Sequence, residues 1–270
     1  MERYINLIEE ISLNAWPAHK MELYDGWLLR FSHNYTHRTN CVNPITDGCL
    51  PLEEKIVFCE QEYSKFHTPT VFKISPLLDP AFDLYLNNRG YEIAHTTEVM
   101  TMPLTKFQPL VFTKEEFESL QENTSLPSFV TYPKGTIVQL SDTITNDWIT
   151  NLFRLNGTTD PTHLRIVPSM FQAIPKETIV ARIEIDGRMV ASGLGILDRS
   201  HIGLYAIYVD ASCRGKHFGK AICSTIIKQG MKKGATHAYL QVVTENRIGK
   251  LLYQSLGFEH LYTYWFRTKG

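Results

Sequence analysis

Apolar positions along this chain recur at helical or at strand spacing, and the alternation of the two gives the order of its elements. Ile5, Leu7, Ile8 and Ile11 mark a helix over residues 1–13, and Asp25 to Phe31 alternates as a strand with Thr36 to Asn43 as its expected hairpin partner. Leu52 to Phe66 and Asp79 to Asn88 follow helical spacing around a short strand at Thr70 to Ile74. Pro103, Pro109, Pro127 and Pro133 then interrupt the pattern, with one helical stretch at Lys114 to Gln121, so a linker is expected here. Periodicity resumes with a strand at Thr136 to Leu140, helices at Asn146 to Leu155 and His163 to Ile174, and a hairpin of Glu177 to Ile185 with Met189 to Leu197 across Asp186-Gly187. Strands at Ile202 to Val209 and Thr236 to Val243 bracket a helix marked by Ala221-Ile222 and Ile226-Ile227. A helix from Asn246 to the Leu256-Gly257-Phe258 turn and a Tyr/Trp-rich strand close the chain. Helices alternating with strands predict an α/β protein with a mixed sheet.

Chemistry concentrates in the loop between Val209 and Ala221, which reads Asp-Ala-Ser-Cys-Arg-Gly-Lys-His-Phe-Gly-Lys. A loop that opens a helix presents unpaired N–H groups at the positive end of the helix dipole, where phosphates bind. Gly215 and Gly219 permit close approach, and Arg214, Lys216 and Lys220 add positive charge. Read alone, the loop is either such a cradle or a solvated basic turn. A nucleotide P-loop needs four residues between its first Gly and its Gly-Lys, then Ser or Thr, whereas three residues and Ala221 stand here. The glycines also miss the Gly-x-Gly-x-x-Gly dinucleotide pattern. After the next strand, Asn246 and Tyr253 lie seven positions apart, on one face of the last helix.

Strand, Arg-Gly-x-x-x-Gly loop, helix, strand, Asn, helix, Tyr, Gly-Phe and aromatic strand together resemble the GNAT acetyltransferases. The resemblance implies the GNAT acyltransferase fold with acetyl-coenzyme A as cosubstrate and no metal. It places the pyrophosphate on Arg214, Gly215, Lys216, His217, Phe218, Gly219 and Lys220, with His217 where the family usually has glycine. It puts the pantetheine arm on Asn246, an oxyanion donor in the backbone of Ile207, Tyr208 and Val209 where strands splay, and Tyr253 near the thioester sulfur. Trp-Pro17, Asp25-Gly-Trp-x-Leu-Arg30 and Arg38-x-Asn40 resemble the N-terminal part of two-domain members. There Trp27, Arg30, Arg38 and Asn40 either line a substrate cleft or simply alternate between core and water. Leu84-Tyr-Leu-Asn-Asn-Arg-Gly-Tyr-Glu92 echoes Leu252-Tyr-Gln-Ser-Leu-Gly-Phe-Glu259 with one residue inserted. Two tandem GNAT-like units are therefore expected: a degenerate unit at 1–105 without a cofactor loop, a linker at 106–134 and a catalytic unit at 135–270. The first would wall the acceptor cleft.

The implied reaction moves an acetyl group to a primary amine of a small molecule or peptide. Tyr253 would protonate the departing thiolate, because a phenol near pKa 10 is protonated at neutral pH. Glu184, His201 and Glu245 remain equal candidates for the base. The rival expectation is a GNAT-shaped protein without catalysis that senses acyl-coenzyme A or docks a partner.

Composition limits the other classes. The 270 residues carry a formal net charge of −1, with 43% hydrophobic and 20% charged residues, so no global field draws nucleic acid or an anionic membrane. No run of 18 apolar residues suggests a membrane span, and acids interrupt the apolar pattern at the start, so a cytoplasmic monomer or homodimer is expected. Five cysteines without a Cys-x-x-Cys pair argue for reduced thiols rather than disulfides or zinc, with Cys213 in the basic loop the expected reactive one.

Overall fold

The computed structural model describes residues 1–107 and 135–270. All but the first two positions of the expected linker, with its helical stretch at 114–121, lie outside the described residues. Among the described residues the strands are β1 (Lys20–Tyr24), β2 (Trp27–Phe31), β3 (Val42–Pro44), β4 (Thr70–Ile74), β5 (Glu92–Pro103), β6 (Thr136–Ser141), β7 (Glu177–Ile185), β8 (Arg188–Asp198), β9 (His201–Val209), β10 (His237–Val243) and β11 (Glu259–Lys269). The helices are α1 (Glu2–Ala15), α2 (Leu52–Lys65), α3 (Pro80–Asn88), α4 (Asn146–Asn156), α5 (Pro161–Gln172), α6 (Phe218–Lys232) and α7 (Arg247–Gln254). No helix among them is long and apolar enough to cross a membrane.

The first hairpin differs from the expectation. Asp25-Gly26 is itself the turn, joining β1 to β2, and both residues take positive φ (42° and 81°), as type I′ hairpins require. Residues 37–39 form a short 3₁₀ turn, which leaves only Val42–Pro44 to pair with β2. Asp186-Gly187 makes the same kind of turn between β7 and β8, with φ of 50° and 76°.

All strands join one mixed sheet in the order β1-β2-β3-β4-β11-β5-β10-β9-β8-β7-β6. Two runs of elements repeat within it: β1-β2-β3-α2-β4-α3-β5 and β7-β8-β9-α6-β10-α7-β11. The last strand of each run is exchanged. β5 lies between β10 and β11, while β11 lies between β4 and β5, so the halves share a central antiparallel pair. Neither half is closed without the other's final strand.

The cores follow from this arrangement. On one face α6 packs Phe218, Ile222, Ile226 and Ile227 onto β7–β10, together with Met100 and Met102 of the exchanged β5. On the same face α2 and α3 cover the N-terminal strands with Ile56, Tyr63 and Leu86. The opposite face is shared, with α1, α4 and α5 over Tyr205, Tyr239, Tyr262 and Tyr264. Each fully buried Ile or Phe contributes roughly 1.5–3 kcal/mol, so these three cores hold the halves as one body.

Candidate active site

The site is built where β9 and β10 part. Their parallel ladder runs from His201↔His237 to Leu204↔Leu240 and stops, while β10 continues along β5 to Val243. Just past that point β9 carries an extra residue against β8, with Ser192 opposite Tyr208 but Leu194 opposite Tyr205. Ala206 in this bulge has φ 49°, and Ser192 Oγ donates to its carbonyl at 3.0 Å. Bulges re-aim a strand and release ladder groups. Ile207, Tyr208 and Val209 thus line one arm of a V-shaped opening and lack β10 as a neighbour.

Beyond Val209 the chain turns through Asp210, whose carboxylate accepts from Ser212 N at 3.1 Å and Ser212 Oγ at 2.7 Å. These bonds, with Arg188 and Arg154 nearby, hold its carboxyl below the ordinary range. Arg214 Nε reaches back to Val209 O at 3.4 Å, and Arg214, Gly215, Lys216 and His217 are exposed. His217 stands at the start of α6 with φ 60° and ψ 8°, a left-handed conformation. The histidine therefore keeps the backbone that glycine would give. No side chain caps α6, whereas Thr145 caps α4, Asp160 caps α5 and Asn246 caps α7. The start of α6 thus carries no side-chain cap among the described residues. A Cβ on Gly215 (φ 75°) would meet nothing within 4 Å, so the outer side of the loop is clear. A Cβ on Gly219 would lie 3.1 Å from Leu252 Cδ2, so glycine here also lets α6 approach α7. Phe218 is buried under the loop, and Lys220 Nζ donates to Ser255 O at 3.3 Å. A helix start without a side-chain cap, a clear loop surface at Gly215 and surrounding cations fit a pyrophosphate.

Asn246 Oδ1 accepts from Gly249 N at 2.9 Å, so it caps α7 at the mouth of the opening. Tyr253, two turns on, packs its ring edge-on to Phe258 with centroids 6.1 Å apart, in the same apolar cluster as Ile207 and Val209. Its hydroxyl has no hydrogen bond among the described residues. Burial pushes its phenol well above the ordinary value, and Cys223 and Tyr208 add to the shift.

The three candidate bases separate. His201 is at the far end of β9, roughly 25 Å from Val209 at 3.3 Å per residue, so it is no part of this site. It is 4% exposed and stacks on His237. Burial, then His237, pushes its pKa down to about 4. Glu184 is held on β7 by Arg182 at 3.1 Å and Gln139 at 3.2 Å. Glu245 is exposed just after β10, at the open end of the V. Cys213 is buried, contrary to expectation, and the exposed free thiol is Cys49. No group of three or more His, Cys, Asp or Glu among the described residues is arranged to hold a metal ion.

The N-terminal motif residues also separate. Arg38 reaches Gln241 Oε1 on β10 at 3.1 Å, one residue past the end of the β9–β10 ladder. Arg30 and Asn40 instead fold the loop that carries it: Arg30 donates to Arg38 O at 2.6 Å, and Asn40 Oδ1 accepts from Ser32 N at 2.7 Å. Trp27 faces another groove, of about 1090 Å³, lined also by Lys73 and Tyr85. Tyr35, half-buried beside Thr158 and Asn156, stands in the electrostatic range of Tyr208 and Arg38, and burial pushes its phenol up to about 12. Ser192, Tyr35 and Gln241 were missed in the sequence. Gln241 left a signal, as a polar residue inside an otherwise apolar strand.

Residues 145–258 match the model of the acetyltransferase (GNAT) family. The chain carries a GNAT domain. The family match covers both arms of the V, the loop, α6 and α7, so the bulge and the uncapped helix lie inside the GNAT region. The whole chain is similar in fold to a GCN5-related N-acetyltransferase from Kribbella flavida, at 13% identity and TM-score 0.67, over 98% of this chain and 95% of that one. It is also similar to a tandem GNAT protein from the clavulanic acid biosynthesis pathway, at 10% identity and TM-score 0.61, over 85% of this chain and 74% of that one. A functionally unknown conserved protein from Staphylococcus epidermidis resembles it at 11% identity and TM-score 0.58, over 92% of each chain. No curated protein matches the chain in sequence. The likenesses extend the GNAT fold to the N-terminal half, where the family model does not reach.

Proposed function

We propose that the chain is an acetyl-coenzyme A-dependent N-acetyltransferase acting on a primary amine in a ternary complex. The observation that carries this is the pairing of an uncapped helix behind a cleared glycine loop with a V-shaped strand opening, at the position of the GNAT match. Acetyl-coenzyme A would supply the acetyl group as a thioester. Arg214, Lys216 and the first N–H groups of α6 would hold the pyrophosphate, and Asn246, at the mouth of the V, would flank the pantetheine arm. The amine nitrogen forms a bond to the acetyl carbon and the carbon–sulfur bond breaks. The sulfur leaves with its electron pair, and the nitrogen gives up a proton. Released backbone donors of Ile207 to Val209 stabilise the charge that develops on the carbonyl oxygen. Tyr253 keeps its proton and offers the departing sulfur a hydrogen bond from its hydroxyl. Glu245 is the carboxylate at the open end of the V and the candidate to take the amine's proton, directly or through water.

The reading is tested by calorimetry with acetyl-coenzyme A and by thiol release with a mixed amine panel. The double charge reversal Arg214→Glu/Lys216→Glu changes two exposed side chains, so folding is preserved and coenzyme affinity is expected to fall at least ten-fold. Wild-type affinity in that variant would refute the loop assignment. Binding without any thiol release would favour a sensor.

A further inference from the structure

We propose that the opening between β9 and β10 has, on the face away from the pyrophosphate loop, a carboxylate-binding subsite centred on Arg38, and that the acceptor is an amine bearing a carboxylate. The proposal rests on the acetyl-transfer reading for the reaction, but its structural basis is separate. Arg38 is half-buried, and its guanidinium is bonded through Nη1 to Gln241 Oε1 at 3.1 Å. That same oxygen accepts from Tyr264 Oη at 2.7 Å, so a neutral amide and phenols are what the charge meets. Arg38 forms no ion pair among the described residues. Its neighbour Arg30 is 2% exposed, forms none either, and has a buried Nε without a hydrogen-bond partner. Two guanidiniums thus stand together without a carboxylate. Withdrawing a cation from water is costly unless an anion compensates it.

The local sequence is spent on presenting this cation. Arg30 Nη1 and Nη2 hold the carbonyls of Arg38 and Trp16, and Asn40 ties Ser32 N, Asn34 N and Thr36 O into one loop. Lys73, over the ring of the same Tyr264, is already paired with Glu9. Among the described residues the Nε and Nη2 edge of Arg38 has no hydrogen bond, and two parallel N–H groups match a carboxylate. Gln241 belongs to the face of β10 opposite α6, where Tyr239 and Tyr264 are packed, so the anion served is not the pyrophosphate. An acceptor held there by its carboxylate would present its amine to the opening from the side opposite the coenzyme.

The test uses the full chain with acetyl-coenzyme A and four probes: L-lysine, β-alanine and γ-aminobutyrate, each beside its carboxamide, and phosphoethanolamine. At least one acid is expected to exceed its carboxamide in kcat/KM by roughly ten-fold or more, the scale of a charged hydrogen-bonded pair. In Arg38→Gln the KM for that acid should rise by the same factor with kcat nearly unchanged, while the carboxamide is unaffected; Arg38→Lys should recover part of the loss and serves if the Gln variant fails to fold. Equal use of acids and carboxamides, preference for phosphoethanolamine, or equal loss of both by Arg38→Gln overturns the proposal while leaving acetyl transfer intact. If coenzyme binds but no amine releases thiol, the melting temperature decides. A rise with the acids, absent with the carboxamides and absent in Arg38→Gln, sustains the subsite; no rise overturns it.

Discussion

Tyr253→Phe removes one oxygen, and the surroundings of that oxygen set the size of the effect. Its ring is fixed edge-on to Phe258, and the hydroxyl is bonded to nothing among the described residues, so phenylalanine keeps the packing. Stability should change by less than about 0.5 kcal/mol. Burial raises the phenol well above its ordinary value near 10, and a free thiol titrates near 8.5. Full proton transfer to a departing thiolate is therefore uphill, and the phenol acts by a hydrogen bond to the developing charge. A hydrogen bond to a charged group is worth about 1.5–3 kcal/mol, which at about 1.36 kcal/mol per decade lowers turnover roughly 10- to 100-fold. That is at or below the lower edge of the roughly 10²–10⁴-fold range for general acids. The assay pairs kcat for thiol release with coenzyme affinity and a melting curve on one sample. Unchanged kcat would make Tyr253 a packing residue. An alkaline fall in wild-type activity between pH 9 and about 10 that vanishes in Tyr253→Phe would refute the burial argument.

Three further outcomes follow from the fold. A fragment of residues 135–270 lacks β5, which separates β10 from β11, and should give no cooperative melt, whereas residues 92–270 should melt cooperatively; a folded, coenzyme-binding 135–270 monomer would refute the strand exchange. His217→Gly should be neutral or stabilise by up to about 1 kcal/mol, while His217→Val should destabilise by roughly 1–2 kcal/mol, because a left-handed residue penalises a branched Cβ. Equal urea midpoints for the two variants would argue against that loop conformation. His201 titrates near 6.5 unfolded but about 4 folded, so its contribution is fully present above pH 6.5 and is lost as pH falls toward 4. Wild type should lose at most about 3 kcal/mol more than His201→Phe across that window, and a parallel pH dependence of the two would refute it.

Much of the chain was legible because its elements are locally consistent. The helices of the C-terminal half carry their own signals: Thr145 before Trp148, Asp160 before Thr162, and Asn246 before Gly249 each cap the helix that periodicity predicts. The loop, the splay and Tyr253 could be placed since they follow one another in sequence. What was not legible depends on distant partners. β1, with Met21 and Leu23 exposed, alternates too weakly for the strand to be seen, although Asp25-Gly26 announces its turn. The second role of Gly219, letting α6 approach α7, depends on Leu252, and the separation of Arg38 from Arg30 and Asn40 depends on Gln241, some 200 residues away. The exchange of β5 and β11 left only the echo between residues 84–92 and 252–259. Both strands are apolar on alternate positions, and that pattern names no neighbour.

The repeat also sets the two helix-opening loops apart, although neither α2 nor α6 has a side-chain cap. Asp25 and Asp186 occupy the same position in matching type I′ turns. In the C-terminal half Asp186 faces Gly135, where a Cβ would come within 2.4 Å of its Oδ1, and the loop before α6 is left clear. In the N-terminal half the turn leans the other way. Asp25 Oδ1 accepts from Cys49 N at 2.9 Å and Oδ2 from Leu50 N at 3.0 Å, the amides just before α2. A Cβ on Gly48 would lie 1.8 Å from Asp25 Oδ2, so glycine is required there by the carboxylate and not by any ligand. Lys55 completes the arrangement, 3.1 Å from that oxygen and stacked over Trp27. The two N–H bonds, more than the lysine, hold the Asp25 carboxyl below its ordinary value. The turn's carboxylate thus sits on the amides before α2 in the N-terminal half, whereas the matching carboxylate of Asp186 faces Gly135. On the acetyl-transfer reading, coenzyme would bind through the loop before α6 and not through the one before α2, where Asp25 occupies two amides and the Arg-Gly-x-x-x-Gly pattern is missing.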